Sequence, residues 1–185
     1  MVTEVTKRLI TVEDYYKMAE VGILKPTDRV ELIQGDIYEM SPIGSKHASV
    51  VNRLSKILNE LFGQETIISI QAPVRLDNKN EPEPDVAILK FKSDFYASAH
   101  PGPADTLAII EVSDSTINFD RSVKTPLYAV SNILVYWIVD IETDQIIVHT
   151  NPVGKEYLNR TSYRPSDNVQ LLSKTLKVSD IIPPL

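Results

Sequence analysis

The sequence predicts a mixed β-sheet flanked by helices, of the α/β or α+β kind, and three features of its 185 residues carry that prediction. Residues 45–62 set Val50, Leu54, Ile57, Leu58 and Leu61 at helical spacing, with Asn52, Arg53, Lys56 and Asn59 on the opposite side. Three apolar, strand-like runs follow: TIISIQAPVRL, PDVAILK and LAIIEVS. They are separated by the polar turn DNKN and the Pro- and Gly-containing loop HPGPAD. A second helical window over 118–131, spaced through Val123, Leu127 and Val130, leads into the strand YWIVD.

The remaining elements frame this core. Thr11 and Asp14 have the spacing of a capping box, which predicts a short outer helix over 11–21. RVELIQGDIYEM reads as an N-terminal hairpin turning at Gln34 and Gly35, where glycine supplies a positive φ. Pro126 bends the 118–131 helix or shifts its start. IIVH is a further strand, and accessory strand-like pieces fill the C-terminal stretch up to Pro183 and Pro184. With no internal repeat, linker or low-complexity tract, one domain over 1–185 is expected, a length sufficient for one core.

Apolar residues make up 43% of the chain and charged residues 24%, the balance of a globular protein. The absence of cysteine excludes disulfides, thiolate zinc sites, iron-sulfur clusters and cysteine nucleophiles, so a metal must sit on oxygen or imidazole. The N-terminal stretch MVTEVTKRLITVEDYYKM is too charged for a signal peptide. No apolar run approaches the roughly 18 residues of a membrane span, so a cytoplasmic location without membrane association is expected. The net charge of -6 counts against a nucleic-acid partner, although Lys90–Lys92 and Arg121–Lys124 are local basic stretches able to face phosphates. Divalent cations held at an acidic site would offset part of that charge.

Glu111 closes an otherwise apolar run, where an ionised carboxylate costs several kcal/mol unless a partner or a cation compensates it. Asp85 opens the run VAIL directly after Pro84. In an antiparallel pair the start of one strand lies beside the end of its neighbour, which brings Asp85 and Glu111 to one edge of the sheet. Two carboxylates plus water suit Mg2+ or Mn2+. Asp120, Lys124 and Tyr128 recur every four residues and share one helix face, so Lys124 supplies the missing cation, able to orient an attacking water or stabilise a pentavalent phosphate.

The elements ELIQG, EPDVAIL, IIEVSDST with Asp120 and Lys124 following, and YWIVD resemble, in this order, the Uma-type family of restriction-endonuclease-like proteins common in cyanobacteria. That family is placed in the PD-(D/E)XK superfamily, and the similarity runs from about Thr11 to His149. The resemblance implies a restriction-endonuclease-like core in which Pro84 and Asp85 are the "PD" pair and Glu111 is the acidic member of the next motif. It further implies a lysine where this chain has Ser113, with Lys124 on the following helix as its replacement. The family pattern favours glycine before YWIVD, where Ser131 and Asn132 stand, so a local turn difference is expected.

On this reading the protein hydrolyses phosphodiester bonds of DNA with a divalent metal. Asp85, Glu111 and the Val112 carbonyl are the ligands, and Lys124 sits beside the nucleophilic water. Several residues keep two readings. Glu111 is a metal ligand or the buried partner of Lys124 or Arg121, and Glu31 is a further ligand or an exposed strand residue. Asp85 is a ligand or a strand-entry aspartate bonding its own backbone. His47 contacts a phosphate or carries a proton, or it is a surface residue at a helix start. Gln71, Ser113 and Tyr128 line the cleft or serve packing. Trp137 belongs to the core, and His47, His100 and His149 show no zinc-ligand spacing. The alternative is a nuclease-fold binding or assembly module without chemistry, suggested by the acidic charge and the displaced lysine. Cutting both strands of a duplex favours a homodimer.

Overall fold

The computed structural model describes residues 6–183. Met1–Val5, Pro184 and Leu185 lie outside the described residues, and with them the first part of the charged N-terminal stretch and half of the terminal proline pair. Helix α1 (Val12–Glu20) is capped by Thr11, whose hydroxyl accepts the Asp14 N–H while the Asp14 carboxylate accepts the Thr11 N–H, the box expected from the sequence. It buries only Val12, in keeping with its outer place. Strands β1 (Val30–Ile33) and β2 (Asp36–Glu39) form the hairpin, turning through Gln34 and Gly35 at φ 54° and 77°. Helix α2 (Ser45–Phe62) follows with the predicted bounds.

The central sheet contains β3 (Thr66–Ile70), β4 (Val86–Lys90), β5 (Thr106–Ser113), β6 (Val135–Asp140), β7 (Gln145–Val153) and β8 (Glu156–Tyr163), side by side in chain order. Only β5 and β6 run parallel, because a helical crossover joins them where the other neighbours are joined by returning loops. The sheet is mixed and the fold is α+β, as the sequence predicts. Side chains alternate across it. Val86, Ile88, Ala108, Ile110, Trp137 and Val139 pack with Leu54 and Leu58 of α2 on one face. Ala87, Leu89, Ile109, Tyr136 and Ile138 pack with Leu127 and Tyr128 on the other. Burial on both faces explains why these strands read as continuous apolar runs.

Three elements depart from the sequence reading. The run TIISIQAPVRL is a strand only to Ile70; Gln71 turns the chain at φ 47°, and Val74 and Leu76 are buried from irregular backbone. The 118–131 window is not one α-helix. It is a short turn α3 (Ile117–Phe119), a π turn over Asp120–Lys124, and α4 (Thr125–Val130). Pro126 has no N–H to continue an α-helical ladder, and the wider turn before it leaves Val130 exposed while Asp120 and Lys124 are buried. Strands β9 (Asn168–Leu171) and β10 (Lys174–Lys177) pair apart from the main sheet, and helix α5 (Val178–Ile181), unanticipated from the sequence, packs against α2. At the turn before β6, Asn132 takes φ 58°, the backbone region that the expected glycine would have favoured. No helix among the described residues is long and apolar enough to cross a membrane.

Gly35 and Gly22 share φ 77°, but a Cβ at Gly35 would lie 2.7 Å from Leu9 Cβ, whereas one at Gly22 would meet nothing within 4 Å. Gly22→Ala is expected to cost roughly 1 kcal/mol for backbone strain alone, and Gly35→Ala at least about 1 kcal/mol more. Urea denaturation of the two variants checks this, and equal losses would remove the packing contribution.

Candidate active site

The site forms where β4 and β5 stop pairing. Their ladder ends at Val86 and Ile110, and upstream of Val86 the prolines at 82 and 84 have no N–H to extend it. Side chains replace the missing rungs. The Val112 N–H donates to Asp85 Oδ2 at 2.9 Å, and the Asp85 N–H donates to Glu111 Oε2 at 3.3 Å. The two predicted carboxylates are thereby crossed over each other's backbone. In an extended strand a residue's N–H and C=O share one edge, so the Val112 carbonyl faces the same gap.

Each carboxylate has further partners. His47, at the first turn of α2, holds Asp85 Oδ2 through Nε2 at 3.0 Å, and the Gln71 amide donates to Asp85 Oδ1 at 3.1 Å. Glu111 lies on the face shared with Ile109, toward the helical crossover, where Lys124 Nζ donates to its Oε1 at 3.0 Å and the Tyr128 hydroxyl at 2.8 Å. Lys124 also reaches Glu31 Oε2 of β1 at 3.2 Å, and the Glu83 N–H donates to the same oxygen. Ser113 and Thr116 donate to Asp120 Oδ2. Asp85, Glu111, Val112, Lys124, Glu31, His47, Gln71, Ser113 and Tyr128 therefore meet at one place. His47 is not the surface residue of its blander reading, and Glu31 is buried, not exposed. Glu111 does pair with Lys124, whereas Arg121 lies toward Asp140 at 3.5 Å.

Lys90–Lys92 stand at the far end of β4 from Asp85, and Lys124 is 5% exposed and tied to two carboxylates, so of the two basic stretches Lys90, Lys92 and Arg121 are exposed while Lys124 is committed to the buried cluster. The sequence reading also missed Arg29, Tyr38, Glu83, Asp114, Thr116 and Phe119, which line the same cleft. Glu83 had a legible signal: in EPEPD, residues two apart in extended backbone lie on one side. The hairpin and loop residues had none, since only folding brings them to Asp85.

The electrostatics follow from three carboxylates around one buried ammonium. Burial pushes Glu111 up to about 8, assisted by Asp85 and resisted by Lys124, and burial likewise raises Asp120. Burial would lower Lys124, but Glu111, Glu31 and Asp120 outweigh it and keep the amine charged. One ammonium cannot neutralise all three, so the cluster as a whole holds a proton more readily than separate carboxylates would. Burial also opposes ionisation of Asp85, yet the His47 contact, the Val112 N–H and the Gln71 amide hold it below the ordinary aspartate value. The same contact raises His47 against its own burial.

Among the described residues, no three His, Asp or Glu side chains converge as a metal-binding group. The donors at the strand gap, two carboxylates and a backbone carbonyl, are nonetheless hard oxygens, and the surplus negative charge around Glu111 is the kind that a divalent cation compensates. The residues present fit such an ion.

The profile of the Uma2 family, described as "Putative restriction endonuclease", matches residues 12–179. The chain belongs to this family. No protein of curated function matches it. Among solved structures, it is similar to a protein from Anabaena variabilis described as a "putative nuclease belonging to DUF820", at 14% identity and a TM-score of 0.70. The alignment covers 94% of this chain and 97% of the other. The fold of the Uma2 chain is thus that of a restriction-endonuclease-like nuclease.

A carboxyl with a raised folded value contributes stability fully below its unfolded value of 4.5 and loses that contribution as pH rises toward 8. His47, raised from 6.5, acts in the same direction, and the lowered Asp85 matters only near and below 3.8. Between pH 7 and 8, above the range in which buried His149, lowered from 6.5 to about 4, acts in the opposite direction, the melting temperature of the wild type is expected to fall with rising pH, and Glu111→Gln to flatten that fall. Parallel profiles from the two proteins would contradict the charge surplus at Glu111.

Proposed function

We propose that this chain is a divalent-metal-dependent endonuclease that hydrolyses phosphodiester bonds of DNA. In this reading residues 1–185 form one catalytic domain, and the protein acts in the cytoplasm as a homodimer. The observation that carries the reading is the meeting of Asp85 and Glu111 at the parted strand edges with Lys124 held 3.0 Å from Glu111. Family membership and the nuclease description of the Anabaena protein support it. Asp85, Glu111 and the Val112 carbonyl would hold Mg2+ or Mn2+, which lowers the pKa of water and neutralises phosphate charge when bound.

The chain's own residues do the rest. The Lys124 ammonium has three donors, of which Glu111 and Glu31 engage two, so a third remains for a water or a phosphate oxygen. Glu31 holds the lysine ammonium in place, and Tyr128 donates to the same Glu111 oxygen as Lys124 does. Asp120, fastened by Ser113 and Thr116, adds negative charge that keeps the amine protonated. His47 and Gln71 take one oxygen each of Asp85 and position it. A second reading, a binding or assembly module without chemistry, is favoured by Ser113 at the motif lysine's usual place and by the engagement of Lys124 with two carboxylates.

Cleavage of supercoiled plasmid separates the two readings. The wild type is expected to nick with magnesium or manganese, and Glu111→Ala and Lys124→Ala to lose about a hundredfold or more of that rate. Absence of nicking with either metal would favour the binding module. Undiminished nicking by Glu111→Ala would place the chemistry elsewhere.

A further inference from the structure

The cleft above Asp85 and Glu111 is poorly suited to a duplex. Glu39, Glu83 and Asp114 join Glu31, Asp85, Glu111 and Asp120 along its walls, against the cations of Arg29 and Lys124 and the imidazole of His47. One divalent ion offsets two of these charges and leaves the cleft acidic. Duplex DNA brings one phosphate for about every 1.7 Å of axis and is bound chiefly by cations set against those phosphates. A cleft that is negative on balance repels such a surface.

The same cleft has a wall of another kind. Tyr38 lies directly across the hairpin from Glu31, so the two side chains share one face at about 5 Å spacing. Glu31 in turn is 3.2 Å from Lys124 Nζ, which puts the tyrosine ring next to the reaction cluster. Phe119 braces that ring, with centroids 5.0 Å apart and planes tilted by 55°, yet Tyr38 stays 36% exposed. Met40 and the exposed Ile43 continue the apolar surface along the rim. Arg29 is fixed by a bond from Nη1 to the Ser41 carbonyl at 3.1 Å, and its remaining donors suffice for a single phosphate.

We propose that the strand bound in this cleft is unpaired DNA, held by a base stacked on Tyr38 and by one phosphate at Arg29. The inference rests on the nuclease reading above and narrows its substrate from DNA in general to single-stranded or locally opened DNA. Stacking on an aromatic face is indifferent to base identity and is available only where the base has left its duplex partner. It supplies attraction that the charges of this cleft withhold, and the few phosphates involved make binding only weakly sensitive to salt.

The test pairs binding with cleavage. Fluorescence anisotropy, in calcium, compares a short labelled DNA strand with the same strand annealed to its complement and with the RNA strand of the same sequence. Cleavage in manganese compares a single-stranded DNA circle with relaxed duplex plasmid. The wild type is expected to bind the DNA strand at least about tenfold more tightly than the duplex, with a shallow salt dependence. Tyr38→Ala is expected to weaken strand binding about tenfold or more, and Tyr38→Phe to restore it, which excludes a folding defect as the cause. Strand binding that depends on Tyr38 without any cleavage would uphold the strand preference while removing the nuclease reading. Cleavage of relaxed duplex as fast as of the single-stranded circle would overturn the preference and leave the nuclease reading intact. Binding of neither form, tighter binding of RNA, or indifference to Tyr38→Ala would each overturn the inference.

Discussion

Antiparallel pairing between β4 and β5 reaches Val86 and Ile110 and goes no further, since Pro82 and Pro84 have nothing to donate to a ladder. The amides of Asp85 and Val112 are left facing each other's neighbourhood, and a buried amide without a partner costs free energy comparable to a lost hydrogen bond. The carboxylates of Glu111 and Asp85 fill that need. This exchange fixes where both acids stand, and the placement of His47, Gln71, Lys124 and Tyr128 follows from it. Two prolines in one extended segment thus do more to locate the site than any single charged residue in it.

Such a site is demanding to fold around. Four carboxylates come close together in a partly dry cleft, with one ammonium engaged by two of them and one imidazole to offset them. The β1–β2 hairpin illustrates the cost. It is joined to the rest of the molecule by the bridge of Leu32 to Glu81 and by backbone bonds of Gly35 with Lys79 and Ile10, and it carries Glu31 into the cluster and Tyr38 to its rim. Lys124 therefore acts as a tie between the hairpin and the crossover as well as an electrostatic partner of Glu111. Breaking a buried pair of this type leaves an uncompensated charge on each side of the gap.

Much of this was legible from residue order because local rules and tertiary demands agree at those positions. Thr11 and Asp14 name a cap, Gln34 and Gly35 a turn, and the 45–62 stretch a helix, since each is decided by neighbours within a few residues. Asp85 and Glu111 stood out because a charge beside a doubly buried strand has few explanations. His47 kept two readings, because its partner is 38 residues away and nothing near it signals burial. Arg29, Tyr38 and Phe119 were silent for the same reason. The 118–131 segment was misread on different grounds: a period of 3.6 has no way to express a wider turn, and Val123 and Val130 mimic the stripe of a regular helix.

That wider turn ties function to chain length. Five residues, Asp120–Lys124, complete a π turn closed by the Thr125 N–H on the Asp120 carbonyl, so the segment holds one residue more than an α-helical turn would. Removing one of them would let the backbone close into a regular α-helical turn, which shifts the residues within the segment, Lys124 among them, relative to Ser113 and Asp120. The segment is consequently more tolerant of a changed side chain than of a changed number of residues. An insertion or a deletion here, silent in composition and nearly neutral in volume, would disconnect the lysine from both of the acids it joins.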